Sequence, residues 1–121
     1  MATIKSYTDL SQSETLSKIL PLESADMYYI SGDECDICFG RGVYEEIADW
    51  ICEGTPKPAD IPCWSLAALL SVLPDYTLQT NTDGTVFVIC DSKKPMISDA
   101  YDNPVDACVA MIEKLHELNL L

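Results

Sequence analysis

Basic residues are scarce in this chain. Seven lysines and arginines stand against 20 aspartates and glutamates, a formal net charge of −13 over 121 residues. That balance repels a phosphate backbone and argues against direct nucleic-acid binding. It argues equally against attachment to an anionic membrane surface. Histidine is scarcer still, with His116 the only one, so a cysteine nucleophile would have a single imidazole to call on as base. There is no EF-hand spacing, no phosphate loop, no G-x-S-x-G and no internal repeat. No apolar run approaches the ~18 residues of a membrane span; the longest, Trp64–Leu73, is interrupted by Ser65 and Ser71 and stops at Pro74. The opening stretch, MATIKSYTDLSQSE, has no apolar h-region. The expectation is a cytoplasmic protein whose six cysteines are reduced.

What is present is enough for a core. Apolar residues make up 48% of the chain, and the length suits one domain spanning 1–121. The acidity is uneven. Met1–Leu22 is balanced, Glu23–Asp60 carries −8, and Ile61–Leu121 carries −5. A charge of this sign suits a basic protein partner.

Periodicity outlines the elements. Leu10, Leu16, Ile19 and Leu20 form a helical stripe behind Thr8 or Asp9 as N-cap, closed by Pro21. Met27–Ile30 reads as a short strand. Val43, Tyr44, Ile47, Trp50 and Ile51 fall at helical spacing, with Gly54 as the stop. Cys63–Leu73, rich in leucine and alanine, reads as a buried helix ended by Pro74. Tyr76–Thr80 and Thr85–Cys90 flank Asn81–Gly84, whose Asp-Gly is a hairpin signal. Val86–Ile89 is apolar on both faces and should be a central strand. Lys93–Pro95 makes a turn, and Met96–Ala100 a third strand. Asp102, Asn103 and Pro104 start a last helix with Val105, Cys108, Val109, Ile112 and Leu115 as its apolar stripe. The predicted fold is α+β: a small antiparallel sheet of three to four strands, helices packed on one face, and a C-terminal helix.

The most pointed local feature is Cys35-Asp-Ile-Cys38-Phe-Gly40-Arg-Gly42. A C-x-x-C pair followed by glycines turns the chain so that two thiolates can meet one metal ion. The spelling is similar to the zinc-binding repeat of the DnaJ chaperone family. That resemblance implies a zinc site with Cys35 and Cys38 as two ligands. Cys52 and Cys63 are the nearest further candidates, and His116 is remote. Two other readings stand beside it: an ordinary turn with small apolar cysteines, and a redox pair. Asp33, Glu34 and Asp36 would raise the thiol pKa values that a redox pair needs lowered.

Cys63, Cys90 and Cys108 lie in apolar stretches and read as core. Asp99, Asp102 and Asp106 gather where a helix dipole favours acids. Trp64 is a candidate interface anchor or a core residue. Tyr28, Tyr29, Tyr44 and Trp50 would make an aromatic, protein-binding patch in the acidic segment if exposed.

Longer stretches carry a second resemblance: Tyr7–Leu10 (YTDL), Ile19–Met27 (ILPLESADM), Ile61–Leu70 (IPCWSLAALL), Asp102–Val109 (DNPVDACV) and Lys114–Glu117 (KLHE). Together they resemble a family of small prophage and mobile-element proteins of gut bacteria. The resemblance implies origin and layout and carries no activity with it. The expected function is a non-enzymatic accessory protein that binds another protein, such as a basic host or phage protein. The alternatives are a zinc-stabilised module built on Cys35 and Cys38, and an acidic nucleic-acid mimic. No cofactor is expected outside the zinc reading.

Overall fold

The computed structural model describes residues 5–29, 51–54, 56, 61–91 and 95–121. Cys35 and Cys38, the helix expected from Val43 to Trp50, and the Lys93–Lys94 turn lie outside the described residues. Within them the fold is α+β: three α-helices, one of them C-terminal, and two three-stranded antiparallel sheets. The chain forms two compact units, Asp9–Trp64, and Met1–Thr8 with Ser65–Leu121.

In the Asp9–Trp64 unit, helix α1 (Leu10–Ser17) starts at Asp9. The Asp9 carboxylate accepts from the Gln12 backbone N–H at 2.8 Å, and the Gln12 side chain accepts from the Asp9 N–H. This reciprocal capping box satisfies two of the donors that a helix start leaves open. Of the two expected caps, Asp9 is the one used, while Thr8 is buried. A 3₁₀ turn at Leu22–Ser24 leads to β1 (Met27–Tyr29). This strand lies between β2 (Ile51–Glu53) and β3 (Ile61–Cys63). β3 in turn packs against α1.

Three sequence expectations are corrected in this unit. Ile51, placed in a helix by its spacing, is in β2, opposite Tyr29. A short apolar run fits both periods, and pairing with β1 decides it. Gly54 ends this strand rather than a helix. Its N–H donates to the Asp26 carbonyl at φ +131°, a conformation that only glycine adopts without strain. Cys63, expected in the next helix, belongs to β3 and pairs with Met27. Pro62 is tolerated there because β3 is an edge strand. The core of the unit holds Leu16, Leu20, Ala25, Tyr29, Cys63 and Trp64.

In the other unit, the Ser6 carbonyl accepts from the Leu66 N–H, and Tyr7 bridges to Ser65. Helix α2 (Leu66–Val72) is shorter than the expected Cys63–Leu73, because Ser65 caps it by accepting from the Ala68 N–H. Strands β4 (Tyr76–Thr80), β5 (Val86–Cys90) and β6 (Met96–Ile97) follow, with β5 central as its two-sided apolar character predicts. Helix α3 (Pro104–Glu117) packs against β5 and α2. Asn103 caps it by accepting from the Asp106 N–H, Pro104 fills the first position, and Lys114 and His116 sit where the dipole favours cations. At its far end Asn119, at φ +56°, closes a Schellman turn through Asn119 N–H to His116 O and Leu120 N–H to Leu115 O.

Candidate functional site

Among the described residues, most of the groups that sequence reasoning singled out for chemistry are structural. Cys63, Cys90 and Cys108 are buried. The thiol of Cys108, on α3, is pushed up to about 12, by burial first and by Cys90 on β5 second. The Cys90 thiol is raised too, by burial and by the Asp75 carboxylate. Neither is a thiolate near neutral pH, so neither is an activated nucleophile. His116 is exposed on the last turn of α3. Trp64 is not an exposed anchor: it is fully buried, and its Nε1 donates to Ser24 Oγ at 2.9 Å. Tyr29 is buried as well and cannot contribute to an aromatic patch, whereas Tyr28 is half-buried. Tyr44 and Trp50 lie outside the described residues.

Of the acids near the start of α3, Asp99 and Asp102 are exposed and Asp106 is occupied. Asp106 takes Lys5 Nζ at 2.7 Å and the Asn103 side-chain amide at 2.9 Å. Among the described residues no group of three or more His, Cys, Asp or Glu side chains is placed to hold a metal ion. No described helix is long and apolar enough to cross a membrane.

The β4–β5–β6 sheet is different, because its two faces are unequal. Alternation sends Val86, Val88 and Cys90 to one side, where all three are buried, with Met96 opposite Cys90 on β6. Helix α3 packs against β5, and this buried side is the face it covers. Phe87 and Ile89 point to the other side and are only half-buried. There Ile89 is paired with Ile97, which is 55% exposed, and with Thr77, while Phe87 is paired with Gln79. The outer face therefore presents Phe87, Ile89 and Ile97 in a cross-strand cluster beside Thr77 and Gln79. None of the five is charged, in a chain of net charge −13.

The two edges of this sheet are built differently. Asp91 N–H donates to the Asp75 carbonyl at one end of the β4–β5 ladder, and Asn81 N–H to the Thr85 carbonyl at the other. Antiparallel hydrogen-bonded pairs recur every second residue, so Thr77–Ile89 and Gln79–Phe87 are the bonded pairs between them. The N–H and C=O groups of Tyr76, Leu78 and Thr80 then point away from β5, along the open edge.

The β6 side is closed. Ser98 N–H donates to the Val88 carbonyl, but the ladder resumes with Val86 and Tyr101 exchanging both bonds. Two residues on β5 oppose three on the other strand, which is a β-bulge at Ser98–Ala100. The bulge leaves the buried Val88 N–H without a ladder partner, and Ser98 Oγ accepts it at 2.9 Å. The outward Ile97 carbonyl accepts from Lys114 Nζ at 3.0 Å.

The hairpin between β4 and β5 is held by Asp83. Its carboxylate accepts from Thr85 Oγ1 at 2.6 Å and from the Thr85 N–H at 3.0 Å, bonds that hold its pKa below 3.8. The acid therefore stays ionised at the tip of the hairpin. The signal for the outer face was present in the sequence as the two-sided apolar run Val86–Ile89. The bulge and the lysine cap had none, because both depend on register.

Comparison of the chain with protein-family models, with curated proteins and with solved structures found no match.

Proposed function

We propose that this protein is a non-enzymatic accessory factor, of prophage or mobile-element origin, that acts by binding another protein. The observation that carries the reading is the uncharged outer face of the β4–β5–β6 sheet, with Phe87, Ile89 and Ile97 clustered across β5 and β6. Depletion of charge around exposed apolar and aromatic side chains is the compositional mark of an interface core. Exposed acids at the ends of the sheet, Asp75, Asp83 and Asp91, supply the polar rim and favour a basic partner. The buried, neutral thiols and the exposed lone histidine among the described residues support binding over catalysis.

The test compares the immobilised chain with its Ile97→Asp variant in a lysate of the cell that expresses it. Ile97 is exposed, so the variant should keep its melting temperature. Retention of a protein by the parent and its loss from the variant is the expected result. Equal retention by both, or none by either at low salt, would overturn the reading.

A further inference from the structure

The geometry points to a more specific mode of binding, which rests on that reading: β4 accepts one extended segment of a partner as a fourth strand, and that segment carries basic residues at its ends. Three observations converge on this edge.

First, the outward N–H and C=O groups of Tyr76, Leu78 and Thr80 make no hydrogen bond among the described residues, and four of the five β4 side chains are exposed. Each such group bonds water in the free chain, and a row of them is a template for another strand.

Second, β4 has none of the devices that blunt an edge. Its sequence, Tyr-Thr-Leu-Gln-Thr, contains no lysine and no proline, and its pairing with β5 runs without a bulge. The opposite edge has all of them: Pro95 ahead of a two-residue strand, the bulge after it, and Lys114 on the Ile97 carbonyl. One edge is defended and the other is left open.

Third, charge selects the occupant. The exposed Asp75 and Asp91 lie together at one end of the β4–β5 pair, and Asp83 lies at the hairpin end. A second copy of the chain would bring like charges together on both ends, in addition to its own −13. A neutral β-forming stretch with lysine or arginine at each end meets opposite charge at both. The added strand would also extend the outer face beside Thr77 and Gln79, so edge and face form one continuous surface.

The experiment uses the full chain and a synthetic heptapeptide probe, Lys-Val-Thr-Val-Thr-Val-Lys. Binding is followed by fluorescence anisotropy, and amide exchange by NMR. The expected result is slowed exchange at Tyr76, Leu78 and Thr80 on adding the probe. A Glu-flanked version should bind about tenfold more weakly at low salt, with the gap closing at high salt as screening shortens. Two further probes carry N-methyl groups on one or the other set of alternate residues. One set should abolish binding and the other leave it intact, because only alternate amides face β4.

Equal binding of both methylated probes, or no binding of the basic probe at millimolar concentration, overturns the proposal. So does protection of those amides by self-association without probe, seen by sedimentation. Shifts confined to Phe87, Ile89 and Ile97 would remove the edge while leaving the protein-binding reading standing. Loss of that broader reading is registered separately, by the Ile97→Asp comparison.

Discussion

Ser98→Ala removes the one acceptor that the buried Val88 N–H has, a loss that nothing nearby can repair. Ser98 is 8% exposed and Val88 is fully buried. The Val88 N–H points to the bulge, where the backbone offers no carbonyl, and Ser98 Oγ accepts it while donating to the Asp99 carbonyl at 2.9 Å. Alanine removes the acceptor and leaves the amide desolvated. An unsatisfied buried donor costs about 1–3 kcal/mol, and the space vacated by one oxygen is too small for a well-bonded water. Taking about 2 kcal/mol, and about 3–5 °C per kcal/mol for a chain of this size, the melting temperature should fall by roughly 6–10 °C. Urea unfolding gives the free energy, and amide exchange at Val88 gives the local effect. Ser71→Ala is the control, since the exposed Ser71 Oγ only donates to its own helix, at Ala67 O. That change should lie within about 0.5 kcal/mol of the parent. A Ser98→Ala loss no larger than the control, with Val88 exchange unchanged, would refute the account of the bulge.

Other perturbations follow from the same geometry. The Asp83 carboxyl should titrate below 3.8 by NMR, and Thr85→Ala, which removes the largest cause, should return it toward that value. Because the folded-state pKa is lowered, the hairpin's contribution is present above 3.8 and is lost as pH falls through the folded value. Cys108 should resist iodoacetamide at pH 8 until denaturant is added. Its pKa is raised from 9.0 to about 12. Its contribution to stability is therefore full below 9 and lost between pH 9 and 12, by at most about 1.4 kcal/mol per unit. A flat stability curve over that range would contradict its burial. Gly54→Ala should cost about 1–3 kcal/mol through its positive φ alone, because the added Cβ has room, 3.9 Å from Tyr28 Cε1. A neutral result in urea would place the strain elsewhere.

Much of the C-terminal half was legible in the sequence because its signals are local. Asn103 and Pro104 state a helix start without reference to anything distant, and Val86–Ile89 states a strand covered on both sides. Short elements between strong signals were not. Ile51 and Cys63 read equally well as helix, and only their pairing with Met27–Tyr29 makes them strand. That pairing also divides the expected single sheet into two. The outer face could be seen in outline, since alternation along Val86–Cys90 sends Phe87 and Ile89 away from the core. Which edge stays open could not, because it depends on Lys114, 17 residues further along the chain, meeting the Ile97 carbonyl.

The unequal edges set a valence. A sheet with two open edges can polymerise, each added strand exposing a fresh template. With Lys114 and the bulge stopping growth at β6, this sheet can accept strands on one side only. Were the like charges of two copies overcome, their β4 edges would meet in a closed pair, and this sheet would offer fibre growth no second edge from which to proceed. Lys114→Ala leaves the fold's core untouched yet raises that valence from one toward two, so it bears on how the protein behaves at high concentration more than on how it folds.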